Sequence, residues 1–491
     1  MTGSSWRSAR VFLLVLPCGA YDAIQRIASA RLYGNVYDYM YYFLDLSVGT
    51  PPQRVSVIVD TGSSITAFPC QSCRHCASHM DPLFDITRSS TAHWLPCGRS
   101  CAPCTSDGKH CTYHQGYTEG SSIGGWWFED VLRIGDLFQQ NPEMRARLGC
   151  HQEETRLFYT QKANGIMGIR QPQEGQPTLL QQLMRDRDRI NADIFTMCIA
   201  DSGGRLTVGG LNESDHRGEV KYIKMRLSGG FFNVYLQAVS IAGSAAAGFG
   251  TTIIDSGTTW TYFGSRPYRA IRKGIEDFCS AQKSCGIQRG NCWEASDLSG
   301  FPDLQMDFDG VDVRWVPRAY LYRKAIGTRW CYSFQDDGPG ASTVLGASWM
   351  MHQDVIFDMA RQRVGVVPAD CPRHQIRPEH DPEAMTRVRG ATITSVTTSS
   401  KVHSVLVQPL QVKKFNIGLL WAGLASGACL ATGFISIVAA ACRPQAPSEK
   451  ADGKDAKHGE VIGKAQATDE EENELLVHQE GAPMQNFLKI A

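Results

Sequence analysis

The sequence predicts a mainly β fold of two similar lobes that face each other across a cleft, followed by one C-terminal membrane-spanning helix. Three observations predict it. An apolar strand running into an acid and a Gly-containing turn occurs twice, as Val55-Ser-Val-Ile-Val-Asp60-Thr61-Gly62-Ser63-Ser64 and as Gly250-Thr-Thr-Ile-Ile-Asp255-Ser256-Gly257-Thr258-Thr259, with the acids 195 residues apart. That spacing is about one domain's length. Ile166-Met167-Gly168 is repeated as Val344-Leu345-Gly346, a second sign of internal duplication. Finally, Ile417 to Cys442 is a 26-residue run with no charged residue, flanked by Lys413, Lys414 and Arg443. It is long enough to cross a bilayer with some tilt.

One Asp-Thr-Gly after an apolar run is an ordinary turn, because Asp caps turns and Gly supplies a positive φ. Two copies at domain spacing mean more. Each puts a carboxylate where a buried strand stops, and two such carboxylates meeting across a cleft cannot both ionise. They share a proton, and such a pair can activate water.

Composition narrows the function class. The chain has 491 residues, 43% of them apolar, and a formal net charge of zero. It can bury substantial cores, and no basic block neutralises a phosphate backbone, so nucleic acid is not an expected partner. Of 17 cysteines, Cys18, Cys429 and Cys442 fall in the two terminal apolar segments, which leaves an even fourteen between them. Residues 1–20 read as a secretory signal: Arg7 and Arg10, then Val11 to Leu16, then Gly19 and Ala20 at a cleavage point. An oxidising compartment suits the cysteine count.

Residues 21–38 are read as a short leader, and the first lobe as 39–215. Tyr39 to Ser47 alternates as a strand, and Val48 to Arg54 turns into the Asp60 strand. Cys70, Cys73, Cys76, Cys97, Cys101, Cys104 and Cys111 then crowd residues 70–111. In a cytosolic chain this spacing would suggest zinc, and in an oxidising lumen disulfides. Tyr117-Thr-Glu119-Gly120-Ser-Ser-Ile-Gly-Gly-Trp126-Trp127 suggests a hairpin with a mobile tip within 113–127. Pro177 to Met184 has helical spacing with Thr178 or Pro177 at its start. Leu206 to Leu211 marks the change of lobe, beside a glycosylation sequon at Asn212.

The second lobe, 216–371, repeats the plan: a strand from Val234 to Ile241, the Asp255 loop, a helix from Arg266 to Phe278, and closing strands between Trp349 and Pro368. Cys150, Cys198, Cys279, Cys285, Cys292, Cys331 and Cys371 complete the fourteen disulfide candidates. Connectivity is not readable from spacing. Residues 372–416 turn polar as a stem or linker, and 443–491 form a charged tail of the disordered type.

The duplicated loops, the Gly49-Thr-Pro-Pro-Gln53 turn and the repeated apolar-apolar-Gly strands resemble the pepsin-like aspartic proteases over about residues 39–371. The resemblance implies a bilobal pepsin-like fold, with Asp60 and Asp255 as the catalytic pair. It implies that Ser63 and Thr258 bond their outer oxygens, that Thr61 and Ser256 tie the loops together, and that Gly62 and Gly257 donate N–H groups and leave room. It makes 113–127 the flap, with Tyr117 as its aromatic residue. Many family members place a Trp seven residues after the first Asp to bond the flap Tyr; here that residue is Ala67, and Trp126 and Trp127 are the candidate substitutes. Pepsin-like zymogens carry a longer basic prosegment than 21–38, so little autoinhibition is expected.

The cysteine-rich insertion resembles that of nepenthesin-type and plasmepsin V-type enzymes, in which the cysteines are bridged. Family analogy pairs Cys292 with Cys331. Asp81 and Glu119 sit at positions resembling acids that, in plasmepsin V-type enzymes, contact an Arg three residues ahead of the cut in an Arg-x-Leu motif. The implied activity is endopeptidase hydrolysis by an Asp dyad, without cofactor or metal, on polypeptides of the secretory pathway. The lobes would be lumenal, in the endoplasmic reticulum or Golgi, held by one span with the tail cytosolic. Competing readings are a β-secretase-like or nepenthesin-like protease of other specificity, a non-catalytic pepsin-fold binding protein, and a metal-binding cysteine module.

Overall fold

The computed structural model describes residues 26–377, apart from 99–100, 102, 137–138, 140, 172–176 and 324–326. The signal at 1–20, most of the stem, the apolar run at 417–442 and the tail lie outside the described residues. Among those described, no helix is long and apolar enough to cross a membrane.

Strands dominate. A 14-stranded sheet runs from the second lobe into the first, joined by sheets of six, four and four strands in the second lobe. Its centre is built by both halves of the chain. Ile194–Ile199 pairs antiparallel with Gly204–Val208 on one side and with Gln353–Asp358 on the other. Gln353–Asp358 pairs in turn with Arg363–Pro368, the expected closing strands. Phe195 stacks on Phe357 at 4.5 Å and Phe232 lies 4.6 Å from the same ring, so aromatic burial seals the seam.

Two elements differ from the sequence reading. Ala28–Asn35, inside the stretch read as a leader, is a strand paired with Gly204–Val208 and then with Tyr41–Val48. Alternate residues Ala28, Ala30 and Leu32 are buried, a period-2 signal easily missed because two of the three are alanine. The strand expected over Val234–Ile241 is two strands. Phe231–Val234 pairs with Thr252–Ile254, whereas Ala238–Ile241 pairs with Leu304–Phe308 in another sheet. The chain changes sheets between them, and Tyr235 is left exposed there.

The two helices that periodicity predicted are present. Leu179–Met184 is capped by Thr178, whose hydroxyl accepts from the Gln181 N–H while the Gln181 side chain accepts from the Thr178 N–H. Ser265–Gln282 buries Ile271, Ile275 and Cys279, the i, i+4, i+8 stripe of an amphipathic helix.

All fourteen cysteines of this region are bridged: Cys70–Cys150, Cys73–Cys76, Cys97–Cys104, Cys101–Cys111, Cys198–Cys371, Cys279–Cys285 and Cys292–Cys331. The Cys292–Cys331 pair is the one family analogy implied. With every thiol used, the insertion offers no thiolates to a metal, and the metal-module reading gives way to a disulfide framework. Cys198–Cys371 spans 173 residues and ties the end of the second lobe to the shared sheet.

Candidate active site

The strand Gln53–Asp60 enters the first lobe's core with Val55, Val57, Ile58 and Val59 buried, so its last residue is delivered to a fixed place. Gly165–Gly168 runs parallel beside it, in register Asp60 to Gly168, and the Ile169 N–H donates to the Asp60 carbonyl at 2.7 Å. In the second lobe, Thr252–Ile254 pairs parallel with Thr343–Leu345, and the Asp255 N–H donates to the Leu345 carbonyl at 3.0 Å. The two apolar-apolar-Gly repeats therefore support the two loops. Their glycines are required by space: a Cβ at Gly168 would lie 2.6 Å from Ser64 backbone, and one at Gly346 2.1 Å from the Trp260 carbonyl oxygen.

Asp60 and Asp255 are fully buried and close enough for each to perturb the other's protonation. Their surroundings are matched. The Gly62 N–H donates to Asp60 Oδ1 at 2.8 Å, and the Gly257 N–H to Asp255 Oδ1 at 3.0 Å. The Ser63 hydroxyl donates to Asp60 Oδ2 and the Thr258 hydroxyl to Asp255 Oδ2. A Cβ at Gly257 would come within 2.3 Å of Asp60 Oδ1, so only glycine lets the second loop approach the first acid this closely.

Across the pair, the Thr61 N–H donates to the Ser256 hydroxyl at 3.1 Å and the Ser256 N–H to the Thr61 hydroxyl at 2.9 Å. Each hydroxyl then donates onward into the opposite lobe: Thr61 to the Ile254 carbonyl at 3.0 Å, and Ser256 to the Val59 carbonyl at 2.7 Å. All eight residues expected at the centre meet in one place, with the expected hydrogen bonds.

Burial, then the neighbouring Asp255 charge, pushes Asp60 well above the usual carboxylate range, and burial raises Asp255. Ser63, Thr258 and the glycine N–H groups oppose this by stabilising the ionised forms. The result is a pair holding one proton between two carboxylates.

The flap is a hairpin of Thr112–Gly116 and Ser122–Ile134 in register Gly116 to Ser122, closed by a turn in which the Tyr117 N–H donates to the Ser121 carbonyl. Tyr117 packs on Phe158 at 4.9 Å. Burial first, then the Asp60 and Glu119 charges, push its phenol well above the ordinary value, and Ser63 opposes them. No indole bonds the Tyr117 hydroxyl, so Trp126 and Trp127 do not replace the missing Trp. Trp126 stacks on His110 at 4.5 Å, and Trp127 lies 4.7 Å from Tyr113. Instead Tyr113 fills the space beside Ala67: a Cβ at Gly149 would lie 2.7 Å from both. A small residue at 67 and none at 149 make that room.

Glu119 stands at the flap tip, half-buried. One oxygen accepts from the Ser121 hydroxyl, the other is buried without a partner, and burial raises its pKa. Gly120, at φ +90°, lies against Arg156, whose Nη1 donates to the Glu119 carbonyl at 3.5 Å. Phe158 and Arg156 were not legible as site residues, because they come from the short turn-like helix Leu157–Thr160 and its cap rather than from any periodic pattern.

Asp81 is placed differently from the expectation. It is buried, with Oδ1 accepting from Arg54 Nε at 2.9 Å and Oδ2 from Arg377 Nη2 at 2.6 Å. Both carboxylate oxygens are taken by arginines of the chain itself, so neither is offered to a substrate guanidinium.

Residues 41–369 match the family model for eukaryotic aspartyl proteases. The chain is 36% identical over 380 residues to aspartic protease 5 of Toxoplasma gondii, a match covering 71% of this chain but only 38% of that protein. It is 27% identical over 442 residues to plasmepsin V of Plasmodium falciparum, covering 70% of this chain and 73% of that one. Nepenthesin-1 of Nepenthes gracilis is 26% identical over 357 residues, covering 67% and 78%. With both acids, both hydroxyl partners and the crossed loop bonds in place, this chain belongs to the eukaryotic aspartyl protease family.

Proposed function

We propose that the protein is an aspartic endopeptidase of the secretory pathway, anchored by residues 417–442, that cuts after an Arg-x-Leu type motif. One observation carries the chemistry: Asp60 and Asp255, from different lobes, are buried side by side within matched donors. One carboxylate takes a proton from the attacking water while the other, protonated, hydrogen-bonds the scissile carbonyl; the roles then reverse to protonate the leaving nitrogen. No covalent intermediate forms.

The Arg preference rests on Glu119 alone. A half-buried carboxylate with one unpartnered oxygen on the flap suits a guanidinium, which supplies the missing donors. Asp81 drops out of that reading. Secretory placement is supported by the bridged cysteines together with the signal-like start and the apolar run. Peptide-library profiling of wild type beside Asp60→Asn tests the reading: cleavage by wild type is expected, lost in the variant, and cleavage that persists rejects it.

A further inference from the structure

A second polar centre lies sealed behind the flap. Glu154 ends the strand Met144–Glu154 and sits opposite Ile123 on the flap's return arm. Its Oε2 takes His79 Nε2 at 3.0 Å and accepts from the Ala77 N–H at 3.2 Å, while its Oε1 takes His151 Nδ1 at 2.8 Å. The three side chains are wholly shielded from solvent.

Geometry fixes the protons. His79 Nδ1 lies 3.0 Å from the Gln161 carbonyl oxygen. A carbonyl and a carboxylate only accept, so both nitrogens of His79 donate and the ring is an imidazolium paired with Glu154. His151 has one partner and its buried Nε2 has none, so it is neutral with its proton on Nδ1. The pKa directions agree. Burial pulls His79 down, but Glu154 outweighs it and the net shift is upward; burial lowers His151; burial pushes Glu154 up, but the two histidines hold it below the ordinary value.

The centre joins the parts that carry the flap. Ala77 and His79 belong to the cysteine-rich loop, and Gln161 follows the helix that holds Phe158. The His151 ring lies 6.4 Å from both Tyr113 on the flap's outgoing strand and Phe158, on which Tyr117 rests. The titratable groups facing one another here are His79, His151, Glu154 and Tyr113.

We propose that Glu154, His79 and His151 are positioning residues for the flap, fixing Tyr117 over the dyad in one protonation state, and that loss of the His79 proton slackens this hold. The proposal rests on the reading of residues 117–121 as the substrate cover. Because the His79 value is raised, its contribution is complete below the ordinary value of 6.5 and is lost as pH rises through the folded value. Because the His151 value is lowered, its contribution is lost as pH falls below 6.5. The two contributions therefore coincide best near 6.5, with the His151 part lost below it and the His79 part lost above it.

The test uses the full chain, with His79→Gln and Glu154→Gln, a cleaved peptide substrate and a pH series. Both variants are expected to raise KM about tenfold while kcat changes less than about threefold. Wild-type KM should rise on the alkaline side, and His79→Gln should abolish that rise. A second readout does not need catalysis: nitrogen NMR of wild type should show both His79 nitrogens protonated at about pH 7, and flap amides should exchange about tenfold faster in Glu154→Gln. A neutral His79 ring, or folded variants with wild-type KM, pH profile and exchange, overturns the proposal. Expected NMR and exchange results with no cleavage of any peptide by wild type would instead reject the protease reading and leave the clamp standing.

Discussion

The backbone N–H of Thr61 donates to the Ser256 hydroxyl at 3.1 Å, and the N–H of Ser256 returns the bond to the Thr61 hydroxyl at 2.9 Å. This exchange fixes the distance between two carboxylates that repel each other when both are charged. Ser256→Ala leaves the buried Thr61 N–H and Val59 carbonyl without their partner, a cost of about 2–6 kcal/mol at roughly 1–3 per orphaned group. A loss of roughly 10- to 100-fold in kcat/KM should accompany it, because the dyad geometry loosens. Calorimetry and steady-state kinetics check both.

The dyad's pH behaviour follows from its burial. Asp60 lies well above its unfolded value of 3.8, so the native state binds more protons than the unfolded one above that pH. Stability from this group is therefore lost as pH rises from 3.8 through the folded value, and activity falls when the last shared proton leaves. The Ser63 hydroxyl stabilises the ionised form, so Ser63→Ala should move the alkaline limb of kcat/KM to higher pH. An unmoved limb would contradict the assignment.

Glu119 is the selectivity test. Glu119→Lys places a cation where the unpartnered oxygen stood, and should cut discrimination between Arg and Ala at the recognised position by about 100-fold or more, since a buried charge loses its counterpart. Cleavage of Arg-free peptides should change little. Profiling both peptide sets with both enzymes decides.

Arg377 reaches from beyond the last bridge into the first lobe, where Nη2 lies 2.6 Å from both Asp45 and Asp81. Both acids are buried, and Arg54 donates to Oδ1 of Asp81. Arg377→Ala should destabilise the protein by about 3–5 kcal/mol, as removal of one partner strands buried carboxylates. Arg377→Lys should rescue part of that loss, because an ammonium keeps the charge without the guanidinium fork. Denaturant unfolding followed by fluorescence measures the difference.

Gly346→Ala should be among the most damaging single-methyl changes. Its Cβ would stand 2.1 Å from one backbone oxygen and 2.6 Å from another, and neither can move aside. A loss of about 3 kcal/mol or more is expected, at the upper end of overpacking, with the Asp255 loop displaced and kcat lowered. Activity and melting temperature on the purified variant test it.

The sequence by itself determined the two-lobed β architecture and the constellation around the two acids, because both are written locally and twice. A buried strand, an acid, a small hydroxylated residue and a glycine at fixed offsets leave the backbone few options, and the apolar-apolar-Gly repeats supply the matching floor. The tertiary structure alone decided what depends on residues far apart in the chain. Asp81 looked like a surface acid waiting for a ligand, yet it is occupied by Arg54 and by Arg377, 296 residues away. Trp126 and Trp127 looked like substitutes for a missing indole, yet Tyr113 fills that space because Ala67 and Gly149 leave it open. The pairing of the other twelve cysteines and the burial of His79 beside Glu154 were equally hidden. Local spacing specifies backbone shape; it carries no record of which charge or ring another part of the chain brings to meet it.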